Sequence, residues 1–184
     1  MKKPRFFSET LKNFGTIGAI APCSPAAAEK MVESVDFQKA RTIVEFGGGT
    51  GPVTREILKR AHPEARIFVF EINDAFVTEL RKIENSQLEV IHASAADAVA
   101  KLQEHGVASA DYVVSTLPLA VLKDDVVDSV FKAIKNILKP GGLYTQIQYG
   151  PFLKNKIEKE FGNIKTLFVA LNVPPAFVYV CEKR

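Results

Sequence analysis

Cysteine is scarce and long apolar runs are missing, and each absence excludes a class of protein. The two cysteines, Cys23 and Cys181, stand outside any C-x-x-C or Cys/His cluster, so we expect reduced, partly buried thiols and no bound metal. No apolar run reaches the roughly 18 residues that span a bilayer. The N-terminus also lacks the apolar core of a secretory signal. We therefore expect a cytoplasmic protein that does not cross a membrane.

The excess of positive charge is confined to the N-terminus. The chain has 24 basic and 21 acidic residues, of which four basic and one acidic lie in the first twelve positions, which leaves 20 of each sign elsewhere. An enzyme that acts on nucleic acid usually spreads positive charge over its main face, so no nucleic-acid partner is expected. The four basic residues are Lys2, Lys3, Arg5 and Lys12.

Apolar residues in the same segment follow a helical period. Phe7, Leu11 and Phe14 share one face of a helix, with the basic residues around it. Such an amphipathic helix over residues 1–14 is predicted to lie on an anionic membrane surface. It could equally pack on its own domain, and both hold if it forms a lid. We therefore divide the chain into an amphipathic, basic and helical N-terminal segment, 1–30, which associates with a membrane or forms a lid, and a main domain, 31–184.

Strand-like and helix-like segments alternate from residue 42 onwards. Such alternation predicts a parallel sheet with helices on both faces. The predicted strands cover residues 42–46, 66–71, 88–92, 111–115, 143–148, 164–173 and 176–181. The last two have no helix between them, and Pro174 and Pro175 form a tight connection, so they are expected to run antiparallel. The fold class is thus a Rossmann-like α/β domain with a seven-stranded, mostly parallel sheet and an antiparallel last strand.

A glycine-rich turn follows the first strand. The segment E-F-G-G-G-T-G at 45–51 resembles the E/D-x-G-x-G-x-G motif of class I methyltransferases, with Glu45, Gly47, Gly49 and Gly51 at the motif positions. Glycines let the chain turn sharply and let the backbone approach a ligand. The resemblance implies S-adenosyl-L-methionine as cofactor and a class I methyltransferase fold.

Further cofactor contacts are expected after the second and third strands. Glu71 ends the second strand, where its carboxylate can accept hydrogen bonds from both ribose hydroxyls, and Ile72 follows it. Methyltransferases often place an acid after the third strand to bind the adenine amino group, but here Ser94 occupies that position. Either Ser94 binds adenine together with the Ala95 backbone, or Asp97 reaches back. Asp97 could equally be a helix N-terminal residue favoured by the dipole.

The fourth strand ends in Ser115-Thr116-Leu117-Pro118. Methyltransferases that act on amines place a polar residue and a proline-bearing loop here, where carbonyls and the polar side chain accept hydrogen bonds from the substrate amine. Ser115 and Pro118 are therefore candidate catalytic residues, and Ser115 also a cofactor contact. The alternative is a strand-to-loop turn without a chemical role.

Four stretches together resemble the bacterial phospholipid N-methyltransferase family. They are G-A-I-A-P-C-S at 18–24, S-T-L-P-L at 115–119, T-Q-I-Q-Y-G-P at 145–151 and N-V-P-P-A at 172–176. The family reads G-A-V-A-P-S-S, S-x-L-P, Q-(F/Y)-x-Y-G-P and N-x-P-P-A, so Cys23 replaces a usual serine. The resemblance implies methylation of the phosphatidylethanolamine amine, by one to three transfers, toward phosphatidylcholine at the inner face of the membrane. Tyr149 is then a candidate catalytic residue that binds the amine or the lipid phosphate, although it could merely cap the sheet edge.

Two other functions stay open. An rRNA adenine dimethyltransferase has a similar loop after the fourth strand, but it reads N-L-P-Y/F there and carries a further C-terminal helical domain. A non-catalytic module that binds S-adenosylmethionine is the other alternative, which the serine at position 94 slightly favours. The motifs contain no evident strong base, so removal of the proton from the substrate ammonium stays unassigned.

Overall fold

The computed structural model describes residues 23–151, 153–162 and 164–183. The predicted amphipathic segment at 1–14 lies outside the described residues. Among the described residues, no helix is both long and apolar enough to cross a bilayer.

The described chain forms a seven-stranded sheet flanked by helices. The strands are β1 (Thr42–Phe46), β2 (Arg66–Glu71), β3 (Leu88–His92), β4 (Ala110–Ser115), β5 (Leu138–Gln148), β6 (Ile164–Val169) and β7 (Ala176–Glu182). The helices are α1 (Pro25–Val32), α2 (Pro52–Arg60), α3 (Asp74–Leu80), α4 (Ala98–Glu104), α5 (Asp124–Ile137) and α6 (Lys154–Phe161), with 3₁₀ turns at Ala95–Asp97 and Leu119–Val121.

The order of the strands confirms the predicted fold class. The sheet runs β3-β2-β1-β4-β5-β7-β6, and β7 is antiparallel to both of its neighbours while the other pairs are parallel. The order reverses between β1 and β4, where parallel α/β sheets open a crevice beyond the carboxyl ends of the strands. We call the edge at which β1 to β6 end the carboxyl edge.

Two apolar layers hold the helices on the sheet. One layer joins α1, α2 and α3 to one face through side chains such as Met31, Val53 and Leu80. The other layer joins α4, α5 and α6 to the opposite face through side chains such as Leu102 and Val130. The central strands are buried on both faces, which explains their continuous apolar sequences.

The structure adds helix α1 to the sequence prediction, and it differs from that prediction at the end of β6 and at the start of β5. Ser24 caps α1 by accepting a hydrogen bond from the Ala27 N–H, and the helix crosses the predicted boundary at residue 30 to pack within the domain. Strand β6 ends at Val169 and not at residue 173, because the Asn172 side chain turns inward and two prolines follow that cannot donate to a ladder. Strand β5 begins at Leu138 directly after α5, five residues earlier than predicted.

Candidate active site

The glycine loop after β1 has the backbone that the motif requires. Gly47, Gly49 and Gly51 have φ angles of 81°, 53° and 85°, the left-handed region that glycine tolerates best. At Gly48 a Cβ atom would stand 2.5 Å from the Val69 side chain, so packing against β2 excludes a side chain there. A Cβ at Gly49 would meet no atom within 4 Å. The loop is therefore closed toward the sheet at Gly48 and open toward the crevice at Gly49.

Glu71 is bound by backbone groups beside this loop. Its Oε2 accepts a hydrogen bond from the Gly49 N–H at 2.9 Å. Its Oε1 accepts from the N–H groups of Ile72 at 2.8 Å and Asn73 at 2.9 Å. The side chain is 8% exposed. The carboxylate thus lies across the glycine loop at the carboxyl edge, and Oε2 keeps lone pairs for a ligand hydroxyl.

Glu45 is fully buried, and only one of its two carboxylate oxygens has a hydrogen-bond partner. Its Oε2 accepts a hydrogen bond from the Thr54 hydroxyl of α2 at 2.6 Å, whereas its Oε1 has no hydrogen-bond partner. Burial raises the pKa of Glu45 to about 7, the Thr54 hydrogen bond opposes this, and the nearby Glu71 charge adds to it. An unpaired buried carboxylate oxygen is costly, so a cation or a donor would be bound favourably here. The ammonium group of a bound amino acid moiety would supply one.

The segment after β3 takes a capping role. The Ser94 hydroxyl oxygen accepts a hydrogen bond from the Ala96 N–H at 3.1 Å and caps the 3₁₀ turn, and Ala95 is buried behind it. Asp97 is exposed and makes no capping hydrogen bond at the start of α4. The Ser94 hydroxyl can still donate to a ligand while it accepts from the backbone.

The loop after β4 is fastened to the glycine loop and to β5. Thr116 donates its backbone N–H to the Phe46 carbonyl at 2.9 Å and its hydroxyl to the Gly47 carbonyl. The Gln146 side chain donates to the Leu117 carbonyl at 3.0 Å and accepts from the Tyr144 hydroxyl at 2.7 Å. Pro118 follows, half-buried, at the start of the 3₁₀ turn.

Ser115 and Tyr149 are not brought together. The Ser115 side chain is fully buried and interacts with Tyr144 in the apolar layer of α4 to α6. Tyr149 packs against the layer on the other face of the sheet. Ser115 pairs with Gln146 on β5, and Tyr149 lies three residues beyond Gln146. Because alternate residues of an extended chain point to opposite faces of a sheet, the two side chains lie on opposite faces. Ser115 therefore supports the loop from the α4 to α6 side of the sheet, and its predicted contacts with substrate and cofactor stay predictions.

The segments around Cys23, Tyr149 and Asn172 meet at one place. The Tyr149 phenol interacts with the Cys23 thiol and the Asn172 amide. Asn172 is 1% exposed, accepts a hydrogen bond from the Ser24 N–H at 3.0 Å, and donates to the Pro174 carbonyl at 2.7 Å. Cys23 in turn lies close enough to Glu45 for the carboxylate charge to raise the pKa of the thiol. Three distant parts of the sequence thus form one cluster beside the motif carboxylate.

Burial is the main cause of the raised pKa values in this cluster. It raises the pKa of Cys23 to about 11, with a further increase from the Glu45 charge. It raises the pKa of Tyr149 to about 12, with a further increase from Cys23. Both groups are therefore neutral hydrogen-bonding groups at physiological pH, and neither is a base for a substrate ammonium.

Three of these residues carry roles that the sequence did not predict. Thr54 binds Glu45, Thr116 joins the two loops, and Asn172 joins the start of α1 to the β6–β7 loop. Asn172 could have been found, because it opens the N-V-P-P-A motif. Nothing in the pattern of the sequence distinguishes Thr54 or Thr116 from other threonines at helix and strand ends.

The arrangement fits S-adenosyl-L-methionine. Gly49 leaves room for a ligand that a Cβ would fill, Glu71 offers acceptor capacity at the same loop, and Glu45 Oε1 lacks the donor that the methionine ammonium would provide. A seven-stranded sheet with this order and this loop defines the class I methyltransferases, which use S-adenosylmethionine.

Comparison with known proteins gives the same class. Residues 43–142 match the methyltransferase domain family, and the chain belongs to this family. It is an S-adenosylmethionine-dependent methyltransferase. The chain is 31% identical over 180 residues to the ornithine lipid N-methyltransferase of Singulisphaera acidiphila, a match that covers 96% of this chain and 94% of the relative.

Solved structures are similar in fold alone. An O-methyltransferase family protein from Burkholderia thailandensis superposes with a TM-score of 0.65 at 14% identity, over 85% of this chain and 55% of that one. An rRNA methylase from Streptococcus thermophilus superposes with a TM-score of 0.61 at 14% identity, over 87% of this chain and 96% of that one. The chain spans only about half the length of the first protein.

Proposed function

We propose that the protein methylates the amine of a membrane aminolipid, namely phosphatidylethanolamine and its mono- and dimethylated forms, toward phosphatidylcholine. The observation that carries this proposal is the cluster of Cys23, Tyr149 and Asn172 beside Glu45. These residues come from three of the four stretches that resemble lipid N-methyltransferases. Tyr149 and Asn172, which match the motifs of a lipid-specific family, thus lie beside Cys23, which replaces its serine, and a methyl acceptor would enter at this side of the crevice.

The cofactor side would be held by groups that are already in place. Glu71 would accept hydrogen bonds from the ribose hydroxyls, the glycine loop and Ile72 would line the ligand, and Glu45 Oε1 would pair with its ammonium. Ser94 and the Ala95 backbone would face adenine. Bound S-adenosylmethionine supplies an activated methyl group on a sulfonium, so the protein has to supply alignment and exclusion of water.

The acceptor side would orient the amine. Tyr149, neutral at physiological pH, would donate its hydroxyl proton to a lipid phosphate oxygen or accept a hydrogen bond from the amine. The Leu117 carbonyl is taken by Gln146, which fixes the position of the loop that carries Pro118. The loop would then hold the amine against the glycine loop through the Thr116 bonds to Phe46 and Gly47.

Membrane association is proposed for residues 1–14. Four basic residues and three apolar ones at helical spacing support it, and each basic residue near an anionic surface contributes on the order of 1 kcal/mol. The rest of the chain carries equal numbers of charges of each sign, which supports a lipid rather than a nucleic acid as partner.

An ornithine lipid is a second candidate substrate. The relative that is 31% identical to this chain is named for that lipid, and the match covers nearly all of both proteins. Both headgroups combine a primary amine with an anionic group, so one cluster could receive either. The two candidates differ in the anion, a phosphate in one and a carboxylate in the other.

A direct transfer assay separates these possibilities. The full chain is incubated with radiolabelled S-adenosylmethionine and anionic vesicles that hold phosphatidylethanolamine, its monomethyl form or an ornithine lipid, and the lipid products are identified by mass spectrometry. We expect label in phosphatidylethanolamine. Label in ornithine lipid alone means that ornithine lipid, and not phosphatidylethanolamine, is the substrate. Label in none of the aminolipids contradicts the proposal. Label in adenine of added RNA revives the rRNA alternative, and a lack of cofactor binding by calorimetry removes every enzymatic function.

A further inference from the structure

Among the residues that the structure describes, the large apolar side chains that remain exposed are confined to one edge of the molecule. In the described part of the chain they are Phe76, Val121, Phe168, Leu171 and Val173, which are 37%, 51%, 58%, 80% and 81% exposed. Phe76 lies in the first turn of α3, which follows β2, and Val121 lies in the 3₁₀ turn after β4. Phe168 lies near the end of β6, and Leu171 and Val173 lie in the loop that follows. Because β2, β4 and β6 are parallel, all five belong to the carboxyl edge.

In the described part of the chain, the opposite edge does not share this apolar exposure. There the described chain presents ion pairs, among them Arg41 with Glu64 and Lys139 with Asp111. None of the exposed large apolar side chains of the described residues lies at that edge. The apolar exposure is therefore not a general property of the surface, and it coincides with the edge where the crevice opens.

The β6–β7 loop, residues 170–175, holds its two most exposed side chains outward. Asn172 stands between Leu171 and Val173 and is buried, with its amide bound to the Ser24 N–H and to the Pro174 carbonyl. Pro174 and Pro175 restrict the backbone that follows. Turning Leu171 or Val173 inward would break the Asn172 contacts, so their exposure is built into the loop.

We propose that the β6–β7 loop is a membrane contact, with Leu171 and Val173 inserted among the lipids of an anionic bilayer. This inference rests on the proposed function, since a lipid substrate has to reach the crevice from a bilayer. The loop that exposes these side chains also contributes Asn172 to the cluster with Tyr149, so insertion would bring the bilayer to the acceptor side of the site.

Charge and chain connection favour a bilayer as the occupant. Residues 1–22 join the described chain at Cys23, whose neighbour Ser24 is bonded to Asn172 in the loop itself. That stretch carries the whole net positive charge of the protein, and the residue at which it joins the described chain lies next to the one that binds this loop. Exposed apolar side chains beside a basic segment are the combination that binds anionic lipid surfaces.

The absence of tryptophan allows a direct readout of insertion. The sequence contains no Trp, so Leu171→Trp introduces a single reporter, and Gln103→Trp places the same reporter near the opposite edge as a control. With vesicles made of equal parts phosphatidylglycerol and phosphatidylethanolamine, we expect the fluorescence of the Leu171→Trp variant to shift to the blue and to be quenched by brominated lipids. The control variant should show neither change.

A pair of charge variants tests the energetic contribution. Leu171→Asp with Val173→Asp is compared with Gln103→Asp with Ala108→Asp, which changes the net charge equally at exposed positions of the other edge. We expect vesicle partitioning to fall at least ~10-fold for the loop variant and little for the control. Both should keep their cofactor affinity, their unfolding transition and their methyl transfer to lipid in detergent micelles.

Several outcomes overturn the proposal. Equal loss of partitioning in the two charge variants means that net charge alone governs binding. Blue-shifted fluorescence of the Leu171→Trp variant before vesicles are added means that the chain's own residues 1–22 or a second copy covers the loop, and sedimentation then tells these apart. Failure of the proposed function appears differently: the unaltered protein transfers no methyl to micellar lipid, whatever its partitioning.

Discussion

The proposed cofactor side of the crevice is held mainly by the backbone, whereas the proposed acceptor side is held mainly by side chains. Glu71 is fixed by three N–H groups, and the glycine loop by its own left-handed residues. On the other side, the Gln146 amide fixes the loop before Pro118, and Tyr149 interacts with Cys23 and Asn172. Backbone donors are present whatever the sequence, but a cluster of side chains changes with each substitution.

This difference explains why the class of enzyme is easier to establish than its substrate. The cofactor side needs a strand order, glycines and one carboxylate, which many distantly related sequences supply. The acceptor side depends on particular residues from three separate stretches. Substitutions on the two sides should therefore separate cleanly: those on the cofactor side change cofactor affinity, and those on the acceptor side change turnover of lipid.

The largest effect is expected for Glu71→Ala. The change leaves the N–H groups of Gly49, Ile72 and Asn73 without their acceptor and removes the proposed ribose contact. We expect cofactor affinity to fall roughly 100-fold or more, since hydrogen bonds to charged groups contribute about 1.5–3 kcal/mol each. Isothermal titration calorimetry measures the affinity. Asp74→Ala is the control, because it removes a nearby carboxylate that is 89% exposed and should leave the affinity within a factor of two or so.

Equal effects of the two substitutions would show that only the local negative charge matters. The backbone-held geometry of Glu71 would then have no special role, and the comparison between the two sides of the crevice would lose its basis.

Glu45→Gln should stabilise the cofactor-free protein and weaken the complex. The pKa of Glu45 is raised from 4.5 to about 7, so the folded protein binds more protons than the unfolded chain between these values, and ionisation above pH 7 costs stability that is regained as the pH falls toward 4.5. Removing the charge should raise the free energy of unfolding by up to about 3 kcal/mol at pH 8 and by little near pH 4.5. Urea titrations at the two pH values measure this difference.

The same substitution should lower cofactor affinity about tenfold at pH 8, because the ammonium loses a charged partner. Thr54→Val is the matched variant, since it removes the hydroxyl that binds Glu45 and keeps the carboxylate. A Glu45→Gln protein that binds the cofactor as tightly as its parent would contradict the assignment of Oε1 to the ammonium.

The pattern of the sequence predicted the seven-stranded, mostly parallel sheet with its antiparallel last strand, because the strands give local signals. Buried strands appear as apolar runs, and the glycine loop and Glu71 follow directly from them. The bounds of helix α1 were not predicted within the N-terminal segment, although Ser24 and Pro25 form a usual helix start. It lies before the first strand, outside the alternating pattern.

Long-range contacts account for the remaining differences. The apolar residues up to position 173 favoured a longer β6, but the Asn172 bond to Ser24, 148 residues away in sequence, turns the chain out of the ladder. The position of Ser115 behind the loop depends on which face of β4 it occupies. Neither feature is encoded within a few residues, so a single sequence read locally could not predict them.

Tyr149→Phe sharpens the comparison from the acceptor side. The loss of the hydroxyl removes its interactions with Cys23 and Asn172, while the ring still packs against the apolar layer of α1 to α3. We expect kcat/KM for lipid methylation to fall about tenfold, or about 1.4 kcal/mol, with unchanged affinity for the cofactor. Tyr112→Phe is the matched control at the opposite edge, where the hydroxyl accepts a hydrogen bond from the Asp36 N–H at 2.9 Å. It should cost about 1 kcal/mol of stability and no activity. If both variants lose activity alike, Tyr149 acts only through stability.

The smallest effect is expected at Ser94, the position where the cofactor side departs from its family. Ser94→Ala removes the cap on the 3₁₀ turn, which should cost about 0.5–1 kcal/mol of stability, and it removes the proposed adenine contact, which should weaken cofactor binding a few-fold. Ser94→Asp keeps an acceptor for the Ala96 N–H and restores the acid that related enzymes use, so it should bind the cofactor as tightly as the parent or a few-fold more tightly. Comparing adenosine-containing cofactor with a purine analogue that lacks the amino group separates capping from recognition, because only recognition depends on that group. If Ser94→Asp improves binding of both ligands equally, the segment after β3 contributes to the fold alone, and adenine is held by the backbone like the rest of the cofactor side.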